Sequence, residues 1–417
     1  MTQMHGWIPT TEDVSLRQRL AVFSVALGTF TLVTNEFLPV ALLTGIRESL
    51  GVSQGDAATM VTVPAAVAAI ASPALAVAAG WLDRRLVLLL MAGLFILSDA
   101  LSAAAPNFAT MLLARFLLGA GIGGFWAIGA SIGGRLVPEP RAAWARSVIF
   151  SGISLAIVLG VPVASFVGGW LRWRIAFAAT AGLALVALVL MAWLLPKIGV
   201  EQPVTRADLA KVVRAPNARL GLVVTLGLVA GQYAAYTFIT PFLAKADHAG
   251  PRVVSVLLLV FGIGGLIGNF GVVRLLSRRL KATVVGMATT LAVATAVMPV
   301  VGPWRPAAVA ALGMWGLAYG AMTVAMQTWV FTADRRDLWS GSALYPAVFQ
   351  ASIAAGSLMG GVVVGIWGDR GAIWTGTVFA ALALLGFGLF ACPVPPGPVR
   401  RSSGAPGAQP VMTPRSN

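Results

Sequence analysis

From Leu20 to Cys392 the chain divides into twelve apolar runs, at 20–44, 57–79, 86–105, 108–134, 147–170, 175–195, 220–243, 253–273, 283–302, 306–331, 341–366 and 372–392. Each is about the length of ~20 residues that an α-helix needs to cross the hydrocarbon core of a bilayer. No water is available there to satisfy backbone N–H and C=O groups, so a spanning segment must be a helix or a strand of a closed barrel. Runs this long, without strict alternation, are helices. The twelve runs together hold three charges, Glu36, Asp99 and Arg115. An intramembrane charge needs a partner, and one that persists usually serves the function.

The expected fold is therefore an all-α membrane protein of twelve transmembrane helices in two pseudo-symmetric bundles of six. The longest polar interruption, 197–219, divides the first bundle (20–196) from the second (220–392). A polar tail (1–19) precedes them, and a Pro/Ser/Gly-rich tail (393–417) that should be disordered follows. Two sets of six spans suggest a duplicated transporter, expected to act as a monomer. Placing both tails and the even-numbered connections on one side gathers Arg17, Arg19, Arg84, Arg85, Arg135, Lys197, Arg274 and most other basic residues there. The opposite side keeps only Arg47, Arg172, Arg174, Lys245, Arg252, Arg305 and Arg370, so both termini should be cytoplasmic. Tryptophans near run ends, among them Trp170, Trp304, Trp367 and Trp374, suit the headgroup layer.

Several function classes are excluded. A formal charge of +15 would suit nucleic acid, but the basic residues are scattered between apolar runs with no stripe to follow a phosphate backbone. The lone Cys392 makes no intrachain disulfide, and neither His5 nor His248 belongs to a cluster with metal-ligand spacing. No nucleophile–base pair lies inside the runs, so an enzyme is not expected. No glycine-rich phosphate loop appears either, so transport should need no cofactor and draw on an ion gradient. Nothing before Leu20 resembles a removable signal peptide.

Asp83-Arg84-Arg85 after the second run, Arg115 with Gly119 in the fourth, Gly160-Val161-Pro162 in the fifth and Trp173-Arg174 opening the sixth resemble the signature motifs of the major facilitator superfamily, in particular its drug:proton antiporters. Thr34-Asn35-Glu36-Phe37-Leu38-Pro39-Val40, Gly123-Gly124-Phe125-Trp126-Ala127 and Ser147-Val148-Ile149-Phe150 are similar to bacterial purine ribonucleoside exporters, with sugar exporters next. The resemblance runs from Arg17 to Cys392. It departs at the loop motif, where the second glycine and the basic pair are missing and Leu86-Val87 follow directly. It implies a multi-pass protein of the bacterial inner membrane that exports a small neutral solute, such as inosine or guanosine, by proton antiport. A broad multidrug or sugar exporter of the same fold is the alternative.

Counting from the run ends places Glu36, Asp99 and Arg115 in one layer about 10–12 Å below the non-cytoplasmic surface. The resemblance implies that the first and fourth spans line the cavity with the third outside them. Glu36 is then the expected proton carrier and Asp99 the partner of Arg115; a permanent Glu36–Arg115 ion pair locking the helices is the competing reading. Arg115, Gly119 and Trp126 share a helical face. The second-half runs are free of charge, but Gln232 and Tyr236, Trp315 and Tyr319, and Gln350 lie near mid-depth. Rings stack on a base and amides both donate and accept, so these five, with Trp126 and Asn35, form the expected solute site. Gly80, Asp83, Arg84 and Arg85 are expected to gate the cytoplasmic end. Gly160 and Pro162 mark a bend, because proline removes a backbone hydrogen bond.

Overall fold

The computed structural model describes residues 14–78, 82–170, 172–199, 214–246, 250–333 and 338–391. Helices account for nearly all of them, and no strand occurs among the described residues. The first half supplies α1 (Leu16–Leu50), α2 (Gln54–Ala78), α3 (Arg84–Ala104), α4 (Phe108–Ile132), α5 and α6 (Trp173–Leu194). Here α5 comprises Ala142–Leu155, a π turn at Ala156–Gly160, and Val161–Trp170. The second half supplies α7 (Pro216–Tyr236, extended past a turn by Ile239–Ala246), α8 (Pro251–Leu276), α9 (Arg279–Val301) and α10 (Arg305–Ala333). The last two, α11 and α12, are the arms of Leu338–Phe390 on either side of Gly368.

Two connections expected as loops are sharp breaks instead. One falls at Arg279 (φ −146°, ψ 62°), between α8 and α9. The other falls at Gly368, whose φ of +69° is a left-handed conformation open to glycine and strained for other residues. Twelve crossings remain, so Leu16 and Ala391 lie on one face, the terminal side, with the far side opposite. The first helix overruns its expected limits, because a Ser15–Gln18 capping box starts it at Leu16. Gly51, at φ 65°, ends it beyond Arg47 and Glu48.

The bend expected at Pro162 takes the form of the π turn just before it. Proline cannot donate to the carbonyl four residues back, and at this point the Val161 N–H reaches five residues back to Ala156 O.

Helices apolar on every side gain little from hydrophobic contrast in lipid, so association depends on close packing of small residues. A Cβ built on Gly316 would lie 2.0 Å from Phe261 O, and one on Gly320 would lie 1.9 Å from Gly265 O. These glycines bring the α8 and α10 backbones into direct contact. In the first half Gly119 does the same, its Cβ position lying 2.4 Å from Pro64 O of α2. Between the halves, Gly262 of α8 sits on Ile157 O of α5, and Gly55 of α2 on Gly361 O of α11, each with a built Cβ at 2.8 Å.

Further contacts close the far side. Ser357 Oγ donates to Ala58 O at 3.1 Å, Lys245 Nζ donates to Asp369 at 2.7 Å, and Gln54 donates to the same carboxylate. The outer surface is apolar, with Trp170, Trp304 and Trp367 more than half exposed near helix ends, as a multi-pass membrane protein requires.

If backbone contact limits the α8–α10 crossing, Gly316→Ala should destabilise the protein by about 1–3 kcal/mol. Gly286→Ala, where an added Cβ meets nothing within 4 Å, should not. Thermal unfolding in detergent checks this; equal melting temperatures would remove the packing argument.

Candidate functional site

The three intramembrane charges occupy two sites. Arg115 and Asp99 are fully buried between α3 and α4, with Arg115 Nη2 3.7 Å from Asp99 Oδ1. Arg115 also donates to Ser102 Oγ at 2.9 Å and to Asn35 O at 3.3 Å, and its guanidinium lies 4.9 Å from the centre of the Phe177 ring. Asn35 Nδ2 donates to Asp99 Oδ2 at 2.7 Å. Each charge thus has an opposite charge and a hydrogen bond, the conditions under which an ion pair tolerates burial.

Glu36 follows Asn35 by one residue, a rotation of about 100° around a helix of 3.6 residues per turn. Asn35 therefore faces the Asp99–Arg115 network while Glu36 faces a cavity between the two halves. Its Oε1 accepts from Gln350 Nε2 at 2.9 Å, a bond between α1 and α11 that joins the halves at mid-depth. The permanent Glu36–Arg115 pair is thereby corrected: the arginine has Asp99 and the glutamate has a neutral amide.

The cavity has a volume of about 290 Å³. Its wall runs from mid-depth toward the terminal side and includes Glu36, Trp126, Tyr319 and Gln350 of the expected residues. Phe37 roofs it, packing 6.0 Å from the ring centre of Tyr233 and 5.8 Å from that of Tyr236. Behind the roof Tyr236 packs on Phe261 at 4.5 Å, and Trp315 Nε1 donates to Gln232 Oε1 at 2.6 Å. Asn35, Gln232, Tyr236 and Trp315, expected at the solute, accordingly lie outside the cavity wall. Their polar groups or rings are engaged with other side chains.

Residues missing from the expected set line the cavity instead: Phe150, Tyr233, Asn269, Thr323, Gln327 and Tyr345. Asn269 and Gln327 could have been found as amides inside otherwise apolar runs, and Phe150 stands in a quoted motif. Trp126 and Phe150 are stacked, 6.4 Å between centres at 17°.

Among the expected gate residues, Gly80 lies outside the described residues. Asp83 caps α3, accepting from Arg85 N at 2.9 Å and Ile198 N at 3.0 Å, while Arg85 Nη2 donates to Ala192 O at 2.5 Å. These bonds tie α3 to the end of α6 within the first half, rather than bridging to the second. Arg84 joins them through its backbone N–H, which donates to Ile198 O at 3.0 Å. Gly160 lies against α1, where a Cβ would come within 2.4 Å of Thr34 Oγ1, two residues before Glu36. Pro162 follows the π turn on the same helix.

Comparison with known proteins places this geometry. Residues 25–338 match the profile of the Major Facilitator Superfamily. The purine ribonucleoside efflux pump NepI of Escherichia coli K12 is 33% identical over 366 residues, covering 88% of this chain and 92% of that protein. A Pseudomonas aeruginosa protein called transcription regulatory protein OpdE is also 33% identical, over 87% of this chain and 90% of its own length. The crystal structure of the nucleoside transporter NupG shares the fold, with a TM-score of 0.73 at 14% identity, covering 90% of this chain and 100% of that one.

The two charge sites should respond differently to substitution. Asp99→Ala leaves Arg115 buried without its counter-charge and should cost about 3–5 kcal/mol, enough to lower the folded yield sharply. Glu36→Gln keeps the shape and lies at the cavity, so the protein should fold at wild-type yield. Size-exclusion recovery and melting temperature report both; equal losses would show that Glu36 belongs to the structural network.

Proposed function

The chain belongs to the Major Facilitator Superfamily, and on that premise we propose that it exports purine ribonucleosides, or close neutral analogues, in exchange for protons. One observation carries this reading: Glu36, the only carboxyl on the cavity wall among the described residues, is held by the neutral amide of Gln350 and not by a cation. Burial disfavours a carboxylate that lacks a counter-charge, so this group is suited to gain and lose a proton as the cavity fills and empties. Arg115 and Asp99 act behind it, fixing α3 and α4 against the backbone of Asn35.

The rest of the wall favours a neutral, planar, hydroxylated solute. It offers rings, amides and hydroxyls, with no lysine or arginine among the described residues to hold an anion. A permanent cation would need a desolvated carboxylate of its own, and Glu36 is engaged by the proton. Similarity to proteins named purine ribonucleoside efflux pumps supports the same solute class.

The excess of Lys and Arg on the terminal side makes that side cytoplasmic in a bacterial inner membrane. The cavity then reaches toward the cytoplasm while the α2–α11 contact and the Asp369 cluster close the far side, the state in which an exporter loads. Gly160 and Pro162 flank the end of the π turn, the bend about which the halves rock. Asp83, Arg84 and Arg85 brace the cytoplasmic end of α3 for its part in that motion. The cavity is complete within one chain, so a monomer with a proton gradient and no cofactor suffices.

Everted vesicles carrying the protein should accumulate labelled inosine when a pH gradient is imposed and lose that accumulation when it is collapsed. Glu36→Gln should abolish accumulation while leaving exchange of inosine down its own gradient. If a quaternary ammonium dye is pumped and inosine is ignored, the chain is a broad drug exporter and the nucleoside reading fails.

A further inference from the structure

Most polar groups on the cavity wall are already bonded. Glu36 and Gln350 hold each other, the Tyr233 and Tyr319 hydroxyls are 3.3 Å apart, Tyr345 donates to Thr323 O at 3.3 Å, and Thr323 donates to Gly320 O at 2.9 Å. Asn269 of α8 and Gln327 of α10 differ. Both line the cavity and are half-buried, and neither side chain hydrogen-bonds to another described residue. A carboxamide left free at a cavity wall can both donate and accept toward a bound molecule.

Helix register shows what the amides face. The halves cross where Gly262 of α8 meets Ile157 of α5, and these two helices run in opposite directions through the membrane. Seven residues from the crossing toward the terminal side, about 10 Å at 1.5 Å per residue, lie Asn269 on one helix and Phe150 on the other. Asn269 is therefore level with Phe150 and the Trp126 ring stacked beside it. In the second half α8 and α10 run side by side in the same direction, with Gly265 against Gly320 and Gly268 against Leu317, so Asn269 is level with the stretch 318–324 and Gln327 stands between about one and two and a half turns nearer the terminal side. Backbone contact at Gly265, Gly316 and Gly320 holds the two helices, and hence the two amides, at a fixed spacing.

We infer that Asn269 and Gln327 are the specificity-determining residues, with carboxamides that hydrogen-bond the amide-like edge of a planar heterocycle whose ring packs against Trp126 and Phe150. The inference rests on the reading of this cavity as a nucleoside site and narrows it to one class. A 6-oxopurine presents a ring N–H beside a carbonyl, the complement of a carboxamide's acceptor and donor. A purine riboside without the 6-oxo group would leave part of the amide pair unbonded in a closed site, and such sites reject the deficient analogue. Neither amide can neutralise a charge, so the base is taken up neutral.

The test is competition of labelled inosine with unlabelled inosine, unsubstituted purine riboside and ribose in everted vesicles, for the wild type, Asn269→Leu, Gln327→Leu and Gln327→Glu. In the wild type inosine should compete at least about tenfold better than purine riboside, a difference in keeping with one lost bidentate contact. In each variant the KM for inosine should rise and that preference should collapse. A preference ratio does not depend on how much protein folds, and the isosteric Gln327→Glu guards against a general packing defect. An unchanged ratio in all three variants would overturn the inference while leaving nucleoside export intact. Transport of inosine without response to a pH gradient would remove proton coupling and leave the inference standing. If the wild type carries no nucleoside, the functional reading and the inference fall together.

Discussion

A charge inside the hydrocarbon layer must be paired, hydrogen-bonded or wetted, and this protein meets that constraint in two different ways a few residues apart. Arg115 and Asp99 satisfy each other in a sealed site completed by Ser102, Asn35 and the face of Phe177. That site joins four helices of the first half, α1, α3, α4 and α6, and leaves the arginine no role at the cavity surface. Glu36, turned away by a single helical step, keeps access to the cavity and a bond to the opposite half through Gln350. The division gives a rigid wall and, on its other side, one carboxyl free to respond to what enters.

The second half is built on neutral contacts. Glycines lock α8 against α10, an aromatic cluster of Tyr236, Phe261 and Trp315 backs the roof, and the hydrogen bond from Trp315 to Gln232 fixes an indole where lipid offers it no partner. Such a body can move as a unit. On the far side it is held to the first half by close packing of α2 on α11 at Gly55 and Gly361, by Ser357 on Ala58 O and by Gln54 on Asp369, and at mid-depth by Gly262 on Ile157 O and by the bond from Gln350 to Glu36. In the proposed exchange, a change in the hydrogen bonding of Glu36 would thus be made at the interface between the two halves. That is where coupling of a proton to a rocking motion requires it.

Much of the architecture was legible because lipid imposes it: span length, the division into two sixes, and the pairing of Arg115 with a carboxylate all follow from the cost of polarity in a bilayer. Direction around each helix was not legible. In a soluble helix the apolar stripe marks the core, but here the lipid-facing and core-facing sides are both apolar, so periodicity gives no rotation. Asn35 and Glu36 could not be assigned to opposite sides, and Tyr236 was chosen where Tyr233, three residues earlier, forms the wall. The α8–α9 and α11–α12 connections were expected as loops because charged stretches, 274–282 and 367–371, interrupt the apolar runs there, and polarity does not show that the backbone stays helical up to a single break at Arg279 or Gly368.

The central claim is that Glu36 alone exchanges its proton against the solute while Asp99 and Arg115 stay fixed. Its most direct test is proton release from purified, weakly buffered protein when inosine is added, followed with a pH indicator. The account requires release by the wild type that is lost in Glu36→Gln; undiminished release from that variant would contradict it.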